Sequence, residues 1–362
     1  MPLRLWPSTR ARYLFGSRFL GHVYLRNSYA TVSATILPQP RTLDSDESVL
    51  SSNLDKNILA HLSTSSDTTS LHELIRQYEA NSGHIFHCSL PYESRPSESR
   101  QRPGFPNTSG ESNIVMIAHC VKTHGDHKVS LSSGFALEAP GKIISESSCK
   151  SGLNSMVLQM RRSPLLLSNA DSSSRTSDGT RGIAQKSGTF VISGSPGHQQ
   201  IHPISSIPSA LPRSDLLALT CSKVPVQTLP VSPYPVQPGT SIRAHFVSHS
   251  SSPPMEPGWV PWVGGTWSKW VRGSVLGYRD FAGRETMFSK PGTYDALSHL
   301  LFTPLPTMGS SGGPIIDDES GAVVGVMLGT RMDNRVEGVR GWGVPSETIF
   351  EMFSLPGLEG KR

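Results

Sequence analysis

One segment of the chain has the residue types that covalent acyl chemistry needs: Gly309-Ser310-Ser311-Gly312-Gly313-Pro314. Glycines on both sides of a serine let the backbone bend sharply, so that Oγ projects and neighbouring N–H groups converge on one point. A negative oxygen formed at that point would be held by those amides. A serine alone is a weak nucleophile, however, and the chemistry also requires a base within hydrogen-bond reach and a carboxylate to orient that base.

Three readings of the segment compete. A Gly- and Ser-rich surface turn is one. A second is the G-x-S-x-G strand-to-helix elbow of α/β-hydrolases, in which the acid and the histidine follow the serine; the last histidine here is His299, so that order is missing. The third rests on the continuation: Ile315-Ile316, an acidic turn from Asp317 to Gly321, then Ala322-Val323-Val324-Gly325-Val326-Met327-Leu328-Gly329, which reads as a β-hairpin. Loop and hairpin together resemble the nucleophile loop of trypsin-like serine proteases, G-x-S-G-G-P. The resemblance implies Ser311 as nucleophile, with the Gly309 and Ser311 amides as oxyanion donors. It also implies an all-β fold of two antiparallel six-stranded barrels with the site in the crevice between them. The activity it implies is serine endopeptidase action through an acyl-enzyme.

For the carboxylate, the best segment is Arg213-Ser214-Asp215-Leu216-Leu217-Ala218-Leu219. It resembles the D-[IL]-A-[LV]-L strand of this family, especially of HtrA-like proteases, in which the acid opens a buried strand. A strand-start aspartate facing solvent is the alternative. The base is the difficulty. In HtrA-like relatives a G-S-G-F strand, present here as Ser132-Ser133-Gly134-Phe135, is followed by T-x-x-H. The matching register lands on Ser148, or on Asn154–Val157 if the hairpin is longer, and no histidine lies between His127 and His198. Ile117-Ala118-His119-Cys120 mimics the A-A-H-C of trypsins but precedes that strand. His119 is therefore a candidate base against the alternative of a satisfied strand histidine, and His198 and His202 are weaker candidates. Three outcomes stay open: an active enzyme with a misplaced histidine, a pseudoprotease that binds polypeptides, or an incomplete gene model in which residues 143–154 replace the true segment.

In the same family the residue six before the nucleophile, here Leu305, floors the S1 pocket, and Met327-Leu328-Gly329 and Gly341-Trp342-Gly343 form its walls. An apolar P1 preference follows. Ser310, uncharged, stands where secreted trypsins carry the aspartate that pairs with a newly released N-terminus, so activation of that type is not expected, and no PDZ domain is expected after Phe353.

The elements around these residues are unevenly distributed. Residues 1–40 hold five arginines (Arg4, Arg10, Arg12, Arg18, Arg26), and the first acidic residue is Asp44. That composition looks like a mitochondrial transit peptide, with a basic tail as the alternative. The formal net charge of +5 resides in this segment, so the remainder has no basic character to attract nucleic acid. No stretch approaches the roughly 20 apolar residues of a transmembrane helix. Residues 41–112 read as a polar, mostly disordered linker with a short helix over 71–78 and a brief strand over 85–88. The whole N-terminal region before the barrels is thus expected to be largely disordered.

From 113 to 353 short apolar runs alternate with turn residues, as in an all-β barrel protein. Strands are expected at Ile114–Cys120, Val129–Glu138, Thr189–Ser193, Leu216–Cys221, Ser241–Val247, Trp267–Tyr278, His299–Phe302, Pro314–Ile316 and Val323–Leu328. The barrels would span about 113–230 and 236–353, joined by a proline-dense strap at 225–240, with a tail at 354–362. Ser168–Ser187 and Ser248–Pro257 read as surface loops. Trp259, Trp262, Trp267 and Trp270 are expected in the core rather than as a stacking platform. Four cysteines (Cys88, Cys120, Cys149, Cys221) are too few for a disulfide-stapled secreted protease, and His119, Cys120, His124, Asp126 and His127 match no zinc spacing, so neither metal nor cofactor is expected. Polypeptides are the expected partners; oligomeric state is not encoded legibly.

Overall fold

Alternation along Ile114–Lys122 fixes which way the first barrel faces. The computed structural model describes residues 53–65, 68–90, 113–122, 127–137, 156–160, 186–221, 228–249, 254–286 and 298–354. The expected transit segment 1–40, the candidate gene-model stretch 143–154, nearly all of the 168–187 loop and the tail from 355 lie outside the described residues. The first barrel comprises β1 (Ile114–Lys122), β2 (His127–Leu137), β3 (Met156–Met160), β4 (Lys186–Ser195), β5 (His198–Leu211) and β6 (Leu216–Cys221), closed in the order β1-β2-β3-β6-β5-β4. On β1, Val115 and Ile117 join Val191, Ile204, Leu217, Leu219 and, from a helix outside the barrel, Leu74 in one apolar cluster. Ile114, Met116, Ala118 and Cys120, on the opposite face, join a second cluster that includes residues of both barrels.

The second barrel uses β7 (Ser241–Ser248), β9 (Trp267–Arg279), β11 (His299–Thr303), β12 (Pro314–Asp317), β13 (Val323–Asn334) and β14 (Gly338–Pro345), with the short β8 (Val260–Pro261) and β10 (Glu285–Thr286) flanking β9. The sheet closes because β7 pairs with both β9 and β12. Ile242, Ala244, Phe246, Val275, Leu300, Phe302 and Met327 fill its interior. A two-residue side-chain period therefore gives three apolar clusters: one within the second barrel, one that runs from the first barrel into the second, and one on the opposite face of β1 against Leu74. The connector bonds to both barrels. Leu229 donates to Ala136 of the first barrel, while Pro230 accepts from Val323 of the second.

The expected linker is ordered over more of its length than its composition implies. Leu54, Ile58 and Leu62, spaced by four, occupy one face of α1 (Asn53–Thr64) and are at most 2% exposed. Each such burial contributes roughly 1.5–3 kcal/mol before conformational entropy is subtracted. The helix packs against β1, β4 and the turn at Val263–Gly265, so it bridges the barrels. Gly264, at φ +70°, lets it approach: a Cβ there would stand 2.6 Å from Leu54 Cδ2. Helix α2 (Leu71–Ala80) occurs where the sequence places it, capped by Ser70 Oγ accepting from the Glu73 amide. Asn81 donates to the Ile207 carbonyl and Gln77 accepts from the Ile207 amide, which fixes α2 over β5.

Several strands escape the sequence reading. β3 is a short apolar run among serines and arginines. β5 carries Pro203 and Pro208 and shifts register twice against β6. β14 is glycine-rich. Of the four clustered tryptophans, Trp262 is buried in the cluster that runs from one barrel into the other. A short helix, α3 (Glu347–Phe350), ends the described fold.

Candidate active site

Pairing along β12 and β13 determines where the serine loop can be. Gly312 donates to the Met327 carbonyl and Met327 donates back to Gly313, so the loop folds onto β13 before β12 begins at Pro314. Gly309 and Gly312 have φ +88° and +87°, left-handed values that favour glycine. Between them Ser310 is fully buried. Its Oγ accepts from the Val247 amide at 2.9 Å and lies 2.8 Å from Thr307 Oγ1, which donates to the Val247 carbonyl at 2.6 Å. The uncharged residue that precludes an activation ion pair thus anchors the loop to β7.

The first barrel clamps the loop from the other side. Ser133 on β2 donates its amide to the Ser311 carbonyl at 2.9 Å and its hydroxyl to the Gly309 carbonyl at 3.0 Å. With those carbonyls engaged, the Gly309 and Ser311 amides remain available: among the described residues neither donates to a protein acceptor. Available N–H groups on a fixed loop are what an oxyanion requires. The Ser311 hydroxyl donates to the Leu328 carbonyl at 2.9 Å, so its proton rests on a backbone oxygen.

His119 is not beside Ser311. It shares one face of β1 with Val115 and Ile117, the face against which α2 packs through Leu74, and its Nδ1 lies 2.9 Å from Thr189 Oγ1. Burial lowers its pKa to about 4. Ser133, which touches the nucleophile loop, is paired with Met116 on the same strand, three residues away from His119. The A-A-H-C likeness is therefore corrected: strand alternation puts this imidazole on the opposite face of the sheet from Met116 and from its partner Ser133, which meets the serine loop. His198 and His202 lie near the β4–β5 hairpin, at the opposite end of β5 from the Leu211–Leu216 pair beside Asp215.

Asp215 follows the turn Pro212–Ser214 and adopts φ +58°, a left-handed conformation that aspartate tolerates better than most side chains. The next residue, Leu216, pairs with Met160 at the end of β3. The end of the third strand therefore adjoins the acid. Of the expected histidine registers, Met156 and Val157 lie inside β3, paired with Thr220 and Leu219; Ser148, Asn154 and the Arg161-Arg162-Ser163 that follows the strand lie outside the described residues.

The substrate-facing residues differ in part from expectation. Leu328 is buried at 8%, and Gly329 beside it lies directly opposite Trp342. Leu305 is 49% exposed and Met308 92%, so Leu305 lines an open surface instead of a pocket floor. The loop hangs from β7, and its outer part leaves the barrel. His249, just after β7, was not singled out by sequence, yet its Nε2 would stand 2.0 Å from a Cβ added to Gly309. Burial lowers its pKa. Only proximity in the fold reveals it.

Among the described residues there is no group of three or more His, Cys, Asp or Glu that could hold a metal, Cys88, Cys120 and Cys221 form no disulfide with one another, and no helix is long and apolar enough to cross a membrane.

Two closed six-stranded antiparallel barrels joined across a shared apolar layer, with a glycine-flanked serine at the junction, define a trypsin-like double barrel. No protein-family model and no curated protein sequence matches the chain. Among solved structures it is similar to the Rv3671c protease from M. tuberculosis in its active form (16% identity, 65% of this chain and 77% of that one, TM-score 0.37). It is also similar to the MamO protease domain from Magnetospirillum magneticum (14%, 67% and 96%, 0.37) and to Deg5 (15%, 66% and 85%, 0.39). The strand pairings, not these distant likenesses, define the fold.

Proposed function

We propose that the protein is a serine-type peptidase of the trypsin-like fold, with Ser311 as nucleophile, acting on polypeptides through an acyl-enzyme. The observation that carries this is the pair of unengaged amides at Gly309 and Ser311 on a loop held from both barrels. In this reading Ser311 Oγ leaves the Leu328 carbonyl and attacks a peptide carbonyl, whose developing oxyanion accepts from the two amides. Asp215, next to the end of β3, orients an imidazole supplied there and stabilises its charged form.

A second reading is favoured by one specific observation. The Ser311 proton goes to a backbone carbonyl, and the sequence following β3 has arginine where the peptidase reading needs histidine. A chain built this way binds polypeptides in the crevice and turns them over slowly, because a site without its base falls orders of magnitude below the full triad. Fluorophosphonate labelling separates the two. Stoichiometric labelling that disappears in Ser311→Ala supports the peptidase; a folded protein that stays unlabelled establishes the binding protein. Delivery to mitochondria is proposed on the basic, acid-free composition of residues 1–40, and import of a fusion carrying those residues tests it.

A further inference from the structure

β13 continues beyond the nucleophile loop as an exposed edge. Its pairing with β12 ends at Val326, and among the described residues it pairs from Gly329 to Asn334 with β14 alone. Leu328 is the last residue of this edge to meet the loop, through its bond from Ser311 Oγ. An exposed edge of this kind accepts an added strand. Every strand pairing within the two barrels is antiparallel, so a polypeptide laid here runs from Arg331 toward Ser311.

The charge along that edge is unbalanced. Arg331 and Arg340 are directly opposite on β13 and β14, and like charges in this position repel. Arg340 is neutralised by Glu337. Asp333, the other nearby carboxylate, is engaged by both Nε and Nη2 of Arg279 at 2.8 and 2.7 Å. Among the described residues Arg331 pairs with no carboxylate: it stacks with its Cζ 4.4 Å from the centre of the Trp342 ring, and its charge lies near enough to help hold His299 neutral. Trp342 is backed in turn by His299 at 4.5 Å, and His299 by Phe281 at 6.0 Å. Phe281 carries Arg213, two residues from Asp215, at 5.7 Å. A guanidinium stacked on a supported indole loses little freedom when its edge donates to a carboxylate.

We infer that Arg331, seated on Trp342, is a recognition site for an acidic side chain of an extended polypeptide bound along the free edge of β13. The inference rests on the peptidase or polypeptide-binding reading only for the placement of a chain beside Ser311. Arg331 is three residues beyond Leu328, or about 10 Å along a strand. The acidic residue therefore belongs about three positions N-terminal to the residue held at Ser311.

The test uses full-length protein, as wild type and as Ser311→Ala, and fluorescein-labelled ten-residue neutral peptides in which one Glu is moved position by position. Anisotropy is expected to show binding about 5–10-fold tighter for Glu than for Gln at one position. Arg331→Ala should abolish that difference without changing the Gln peptide, and Arg331→Lys should keep part of it. Equal binding of Glu and Gln peptides, a preference independent of position, or an equal loss for both in Arg331→Ala would overturn the inference. Melting curves of Arg331→Ala and Arg331→Gln check folding, and both variants should react with fluorophosphonate as wild type does. A protein that discriminates Glu from Gln but never labels would end the peptidase reading and leave this one standing; labelling without discrimination does the reverse.

Discussion

Ser133 of the first barrel donates both its amide and its hydroxyl across the crevice, to the Ser311 and Gly309 carbonyls at 2.9 and 3.0 Å. A single residue thus holds, by their carbonyls, the two residues whose own amides would face an oxyanion. Ser133→Ala keeps the backbone bond and loses the hydroxyl. The expected cost in stability is about 1 kcal/mol, with a larger effect on fluorophosphonate labelling, slowed on the order of tenfold. Unchanged labelling in this variant would show that the clamp does not shape the site.

Ser310 is buried with its hydroxyl accepting from the Val247 amide. Replacement by alanine leaves that amide without its acceptor in a dry interior, at a cost of roughly 1–3 kcal/mol. Thermal unfolding of Ser310→Ala should show a lower midpoint, and Ser310→Thr should fall between the two if the larger side chain fits. A midpoint equal to wild type would mean that water replaces the hydroxyl.

Gly309 combines a left-handed φ with the His249 ring against its α-carbon. Gly309→Ala is expected to displace the ring and the peptide plane together and to abolish labelling of Ser311. Adding His249→Ala relieves the contact but not the backbone strain of about 1–2 kcal/mol, so the double variant should recover stability only in part. Full recovery would assign the whole effect to the ring.

Glu347, at the start of α3, is buried with neither carboxylate oxygen paired to a described residue, and burial raises its pKa to about 7. In the unfolded chain the group titrates near 4.5. The folded state therefore holds the proton longer, and stability falls as pH rises from about 4.5 through 7, by on the order of 3 kcal/mol in full. Glu347→Gln should remove this slope and be the more stable protein at pH 8. Urea unfolding of both proteins at pH 5 and pH 8 measures it; parallel losses in the two would assign the slope elsewhere.

His119 and His245 act in the opposite sense. Burial lowers their pKa values to about 4 and about 3. Both are held neutral in the fold but accept protons near 6.5 when unfolded, so stability is lost as pH falls below 6.5. His119→Gln should flatten the acid limb if glutamine keeps the bond to Thr189. An acid limb as steep as that of wild type would remove His119 from the account.

The amino-acid sequence by itself determined the glycine-flanked Ser311 loop, the strand that opens after Asp215 and the hairpin after Pro314, because each is a local pattern of glycine, charge and apolar alternation. It also showed that no histidine lies between His127 and His198. Which face of β1 lies toward the serine loop was not local information. His119 alternates with Ala118 and Cys120, and only pairing with β4 turned it toward Thr189, on the face opposite Met116. Register likewise paired Met160 with Leu216 and brought the end of β3 to Asp215. α1 escaped detection because its three apolar residues are sparse in a polar stretch and gain their energy only from a groove formed by both barrels. The partnership of Ser133 with Gly309 and Ser311, and that of Arg331 with Trp342, join residues far apart in sequence or across a strand pair. Such contacts exist only after the barrels close, and tertiary structure alone decided them.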